Sequence, residues 1–316
     1  MKHFLFLISF SIAIQTLGFC QNGKIIEKQP IQFSDSAITA VAQIIPPIRL
    51  FITKSDFYKI TYMSDGLKVN GYLAVPKKEG KFPCVIVNRG GNREFGAWNE
   101  TSVLRFFANL ASWDYVVVGS QYRGNGGSEG KEEFGGSDVN DVLNLMPLLA
   151  NVEKTDTSRI GMYGWSRGGM MTYLALTKTD KLKAAVVGSG LTDPKALIKK
   201  RPEMDSVFAE LISGYTSNKD SVFKTRGAIN WPEKICKKTP LLLMAGTADW
   251  RVTPEEQFTL AQKLIEVKQP VRFMAFEGGQ HSLVEHMDEV NRNLRNFLDF
   301  YLRDRKPWPN LEPHGN

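Results

Sequence analysis

The chain has 316 residues, 42% hydrophobic and 11% aromatic, ample for a buried core and for one large or two small domains. Its formal charge is +7, from 40 basic against 33 acidic residues. The basic residues are scattered, and the densest cluster, Lys199-Lys200-Arg201, reads as a solvated helix face. The balance therefore argues against a nucleic-acid-binding arm and leaves a solubility role with at most a mild bias toward acidic partners.

Residues 1–20 read as a secretory signal. Lys2 and His3 form a short basic start, Phe4–Ile14 is apolar apart from Ser9 and Ser11, and Gly18-Phe19-Cys20 precedes a cleavage expected after Cys20. The apolar run is too short for a membrane span, which needs about 20 residues. An exported protein, periplasmic or secreted, is expected. A lipid anchor on Cys20 is the lesser alternative, because the bulky Phe19 precedes it. Cleavage removes one charge (7 − 1 = +6) and one of the three cysteines, leaving Cys84 and Cys236. Neither has the spacing of a metal site.

Residues 21–57 form an N-terminal extension, helical around Ser36–Ile45 and stopped by Pro46-Pro47. Tyr58–Met63 and Val69–Val75 alternate as strands around the turn Ser64-Asp65-Gly66, which makes a hairpin. Cys84–Asn88 and Tyr115–Gly119 are buried-strand runs, with helical spacing over Thr101–Ser112 between them. Asp138–Ala150 is helical, with Asp138 placed to cap its first turn. After a strand–turn–helix at 159–176 come strands Ala184–Gly188, Leu241–Ala245 and Val271–Phe276. Helices Pro254–Val267 and Glu285–Leu302 complete the pattern. The alternation implies a mostly parallel sheet covered on both faces, with an antiparallel edge from the hairpin. It breaks between 191 and 235, a polar stretch helical around Pro202–Gly214. An insertion there lies over the carboxyl ends of the strands, where such sheets bind ligands, and reads as a small cap; an ordinary long crossover is the alternative. Residues 307–316 are a Pro-rich tail.

The strand–turn–helix carries the chemistry. Ile160–Tyr163 runs into Gly164-Trp165-Ser166-Arg167-Gly168, and helix follows from Met170. Gly-x-Ser-x-Gly in this setting lifts a serine clear of the sheet on a strained turn, and a Cβ two residues before or after would clash. The helix also aims its free N–H groups and positive end at the serine.

A serine hydroxyl needs a base, and the base needs an orienting acid. Of four histidines, His3 leaves with the signal, His314 is in the tail and His286 opens the last helix. His281 sits in the glycine-rich loop Glu277-Gly278-Gly279-Gln280 after the last strand, and is the expected base. Asp249 follows Gly246-Thr247-Ala248 at the end of the neighbouring strand and is the expected acid, with Asp193 as runner-up. The order Ser166, Asp249, His281 is that of an α/β-hydrolase. The oxyanion donors expected are the N–H of Arg167 and one from the loop Asn88-Arg89-Gly90-Gly91-Asn92, Gly91 first and Gly90 next. The side chains of Arg89 and Arg167 are expected to fix loops through salt bridges, ahead of binding a substrate carboxylate.

These residues resemble a known family. Gly164-Trp165-Ser166-Arg167-Gly168-Gly169, Gly246-Thr247-Ala248-Asp249-x-x-Val252 and Gly279-x-His281 are similar to the catalytic domain of the prolyl oligopeptidase family of serine hydrolases. So is Tyr122-Arg123-Gly124-Asn125-Gly126-Gly127, followed by Gly130, Phe134 and Asp138. The resemblance covers about Tyr58 to Arg305. It implies an α/β-hydrolase fold with a mostly parallel eight-stranded sheet, a catalytic domain over 58–306 and the triad Ser166, Asp249, His281. Many members carry a large N-terminal β-propeller, for which 21–57 is too little. Peptidase members often read His-Gly-Gly-Pro where this chain has Arg89-Gly90-Gly91-Asn92. Both departures favour a carboxylic-ester hydrolase over the alternative, a peptidase acting on short peptides; a non-catalytic scaffold is a third reading. The substrate expected is a small ester or short peptide, with no metal or organic cofactor. In such a fold the strands near Cys84 and Cys236 lie three apart, roughly 14 Å at about 4.8 Å per strand, so two free buried thiols are expected.

Overall fold

The computed structural model describes residues 21–315. The signal sequence, its cleavage and the lipid anchor on Cys20 fall outside those residues. The strands are β1 (Ile25–Pro30), β2 (Ser55–Ser64), β3 (Leu67–Pro76), β4 (Phe82–Asn88), β5 (Val116–Ser120), β6 (Thr155–Trp165), β7 (Leu182–Gly188), β8 (Leu241–Gly246) and β9 (Val271–Phe276). They form one sheet in the order β1-β2-β3-β5-β4-β6-β7-β8-β9. The pairings from β1 to β5 through β2 and β3 are antiparallel, and all pairings from β5 to β9 are parallel. This is the α/β-hydrolase arrangement expected, with nine strands in place of eight.

The extra strand is β1, from the segment read only as partly helical. Ile-Ile-Glu-Lys-Gln-Pro is exposed along most of its length, so burial imposes no alternation on it. Its register comes from β2, where Lys28 stands opposite Ile60. The expected helix is shorter, Asp35–Ala42, capped by Ser34, whose hydroxyl accepts from the Ala37 N–H.

Local chemistry explains the rest of the frame. The β2–β3 hairpin turns through Asp65 and Gly66, both at positive φ (51° and 83°), as a two-residue hairpin loop requires. Along the buried β4, Cys84 and Ile86 face one core and Val85 and Val87 the other. The first core holds helix Arg167–Leu176; the second holds the final helix, Met287–Leu298. The helix between β4 and β5 spans residues 100–111 and is π-helical over Val103–Ala108.

Residues 191–235 form three helices, Pro194–Lys200, Glu203–Leu211 and Lys219–Arg226, between β7 and β8. They pack on the body through Phe208, whose ring is tilted against that of Phe134 with centroids 4.8 Å apart. Arg226 adds a 2.9 Å hydrogen bond to the Phe134 carbonyl. Both cysteines are free, but only Cys84 is buried; Cys236 is half-buried, because it lies in the loop before β8 and not in the sheet. No helix among the described residues is long and apolar enough to cross a membrane.

Candidate active site

Ser166 follows β6 with φ 57° and ψ −122°, a strained conformation for a residue with a side chain. The flanking glycines make it possible. A Cβ on Gly164 would sit 2.1 Å from the Gly168 carbonyl, and one on Gly168 2.1 Å from the Asn88 carbonyl. The turn is pinned by the Ser166 N–H to the Gly188 carbonyl (3.0 Å) and by the Leu191 N–H to the Ser166 carbonyl (3.1 Å). Helix Arg167–Leu176 starts at the next residue.

The acid and base loops leave neighbouring parallel strands and are tied to each other. The Thr247 N–H reaches the Phe276 carbonyl at 2.9 Å, and the Ala248 N–H the Gly279 carbonyl at 3.0 Å. The Gly278 N–H donates to the Thr247 hydroxyl at 2.8 Å. Gly246 leaves room for this crossing, since a Cβ there would meet the Gly279 carbonyl at 2.1 Å. Asp249 Oδ2 lies 2.8 Å from His281 Nδ1. Its Oδ1 accepts the N–H groups of Arg251 (2.8 Å) and Val252 (3.1 Å), so the buried carboxylate is fully engaged. The Trp165 indole N–H holds the His281 carbonyl at 2.8 Å, which joins the base loop to the nucleophile strand.

Ser166 and His281 line one cavity of about 100 Å³, together with Gly91 and Arg167. The serine hydroxyl and the imidazole are not hydrogen-bonded to each other here. Such contacts are often loose in unliganded enzymes and tighten with substrate. Gly91 has φ 72°, and a Cβ on it would meet the Phe95 carbonyl at 2.0 Å. Gly90 packs on the serine, a Cβ there coming 3.2 Å from Ser166 Cβ. Arg167 follows Ser166 in the chain, and Gly91 lines the same cavity. Asp193 is elsewhere: it caps helix Pro194–Lys200 through the Lys195 N–H at 2.9 Å. His286 is half-buried and does not line this cavity; its ring packs 5.3 Å from Phe276 and its Nε2 lies 3.0 Å from the Glu277 carbonyl.

Both arginines hold loops, Arg167 through the expected salt bridges and Arg89 through backbone carbonyls instead. Arg89 is buried and donates to the carbonyls of Gln121, Gly90, Phe95 and Arg93. Burial, aided by the nearby Arg167 charge, pulls its pKa down to about 10. Arg167 is buried between Glu132, with which it is ion-paired, and Asp138 at 2.7 Å; it also reaches the Gly91 carbonyl at 3.1 Å. Asp138 therefore does not cap its helix. It accepts from Arg167 and from the Gly135 N–H, because a buried guanidinium outbids a helix end for a carboxylate. Glu132 was invisible as a site residue: it is one acid in a polar loop, and only the fold reveals it as the counter-ion of the residue after the nucleophile. Leu197, Arg201 and Met204 of the 191–235 segment also line the cavity, so Arg201 belongs to the site and not to a solvated face.

The chain matches the prolyl oligopeptidase family over residues 101–306. It is 30% identical over 249 residues to an uncharacterized peptidase, YtmA, of Bacillus subtilis, covering 78% of this chain and 93% of that one. Its fold is similar to that of the Pyrococcus horikoshii acylaminoacyl peptidase (TM-score 0.69, 22% identity), across 84% of this chain and 45% of the other. It is also similar in fold to the Pyrococcus furiosus esterase Pf2001 (TM-score 0.61, 20% identity), across 81% and 96%. The chain thus spans under half of the larger peptidase and nearly all of the two smaller proteins. The motif match, the nucleophile turn and the long shared stretch with a peptidase agree: the chain belongs to the prolyl oligopeptidase family of serine hydrolases.

Proposed function

We propose that the protein is an exported serine peptidase acting on short peptides through an acyl-enzyme. The carrying observation is that the Asp249–His281 pair and Ser166 converge on one cavity. In this reading His281 Nε2 takes the Ser166 proton while Asp249 holds the Nδ1–H tautomer. Ser166 Oγ attacks the carbonyl, and the oxyanion is stabilised by the N–H groups of Arg167 and Gly91. His281 then protonates the departing amine, and water, deprotonated by the same histidine, releases the acid and restores the serine.

The ester preference expected from Arg89-Gly90-Gly91-Asn92 gives way here. Arg89 is committed to four carbonyls of its own neighbourhood, so its presence says nothing about ester over amide. The relative spanned over 93% of its length is named a peptidase. The ester reading keeps one support, the esterase whose chain is spanned over 96%. A panel of anilides of free and N-acetylated amino acids and dipeptides, acidic ones included, beside matched nitrophenyl esters decides: turnover of any anilide within about a hundredfold of its ester fits the peptidase, and ester cleavage alone overturns it. Export rests on the pattern of residues 1–20; a mature N-terminus at Gln21 in the exported fraction is the expected result, and an intact Met1 in the cytosol would refute it.

A further inference from the structure

The cavity over Ser166 is cationic as well as apolar. Leu191, Leu197, Met204 and Val252 line it, and so do Arg201 from the 191–235 segment and Arg251 from the Asp249 loop. No acidic residue lines it among the described residues. Its third arginine, Arg167, is already neutralised by Glu132 and Asp138. Arg201 and Arg251 are not so matched. Arg201 gives its Nε to the largely exposed Glu203 at 2.9 Å, which leaves both terminal amino groups without a partner among the described residues. The Arg251 side chain makes no hydrogen bond or ion pair among them. Both guanidinium groups lie against one indole, 5.5 and 5.3 Å from the Trp250 ring centre.

Aromatic packing fixes these planar groups without discharging them. Half-buried guanidinium groups beside a reacting centre, one paired only through its Nε with an exposed glutamate and the other with no ion pair among the described residues, are a poor receptor for a peptide's free ammonium terminus, which needs carboxylates. They suit a carboxylate, which their forked donors bind through strong charge-assisted hydrogen bonds. We propose that Arg201 and Arg251 select substrates bearing a carboxylate within about one residue of the scissile carbonyl, such as a glutamyl or glutaryl acyl group. This rests on the reading of the cavity as a serine-hydrolase site and narrows it to anionic substrates.

The test uses isosteric pairs differing only in that charge: N-acetyl-glutamyl against N-acetyl-glutaminyl nitroanilide, and the nitrophenyl monoester of glutarate against that of glutaramate. The mature protein is expected to favour the acid in at least one pair by about tenfold or more in kcat/KM. That ratio should fall toward one in Arg201→Gln and Arg251→Gln, and shrink in high salt. A parent ratio of one or less in both pairs, or a ratio that both variants leave intact, overturns the proposal. Should no substrate turn over at all, the serine-hydrolase reading is what has failed. The pocket is then read directly by thermal unfolding: glutarate is expected to raise Tm more than glutaramide does, with the difference lost in both variants, and equal shifts would overturn the inference.

Discussion

Asp249 Oδ2 and His281 Nδ1 stand 2.8 Å apart across 32 residues of chain, at the ends of adjacent parallel strands. Asp249 accepts three hydrogen bonds in all, two of them from its own loop. Asp249→Asn preserves that shape but no longer favours the tautomer with the proton on Nδ1. A fall in kcat of roughly 10³–10⁴-fold is expected, with unfolding midpoints close to the parent. A variant within tenfold of the parent would show that Asp249 is not the acid that orients His281.

The nucleophile turn leaves no room for a methyl group. Gly168→Ala places its Cβ where the Asn88 carbonyl oxygen now stands 2.1 Å away. Backbone on both sides must move, so a loss of at least about 2 kcal/mol in urea unfolding is expected, together with lost turnover. Gly278→Ala, a position with no neighbour within 4 Å of such a Cβ but with φ 66°, should cost only the backbone strain of about 1 kcal/mol.

Arg167 is ion-paired with two buried carboxylates at once. Arg167→Met strands Glu132 and Asp138 without their counter-ion, and a loss of about 3–5 kcal/mol is expected. Adding Glu132→Gln and Asp138→Asn should recover part of it; a triple variant no more stable than the single one would contradict the charge account.

How far these features could be read from the sequence depended on how local their cause is. Ser166, Asp249 and His281 each follow an apolar strand on a glycine-bearing loop, so short windows locate them, and chain order relates them. The strands β4, β5, β7 and β8 were legible because burial on both faces makes each a nearly continuous apolar run, as was the apolar end of β6, whereas β9 is mostly half-exposed and was legible from its composition, VRFMAF. Strand β1 was not, since one partner and solvent are its only neighbours. The roles of Asp138 and Glu132 were hidden for another reason. Asp138 opens a helix and Glu132 lies in the polar loop before it, and their partner, Arg167, is 29 and 35 residues away in the chain. Arg201 was misread because a cluster of cations on a helix is ordinarily solvated, and only the placement of the segment over Ser166 turns one of them inward.

Glu256, in the first turn of helix Pro254–Glu266, is buried beside Asp193. Burial, and then the Asp193 charge, push its pKa up to about 8. The sign follows from linkage. A carboxyl with a folded pKa above its unfolded value of about 4.3 holds its proton more tightly when folded, so stability falls as pH rises between those values. Glu256→Gln should therefore be more stable than the parent at pH 8 and lose that advantage by pH 4. Parallel pH profiles of the two proteins would contradict this.

The two thiols should differ in reactivity. Burial pushes the Cys84 thiol up to about 12, whereas Cys236 is half-buried in a loop. In native mature protein at pH 8 a disulfide reagent is expected to modify Cys236 while leaving Cys84 intact, and to reach both after denaturation. Rapid native modification of Cys84 would show that β4 opens readily.

The central claim is that the hydroxyl of Ser166 is activated by His281 within this fold. Intact-mass and peptide analysis after treatment with a fluorophosphonate tests it most directly. One adduct per chain is expected, located on Ser166, absent in Ser166→Ala and strongly slowed in His281→Ala. No adduct on the parent protein, an adduct on another residue, or peptide and ester cleavage surviving in Ser166→Ala would contradict it.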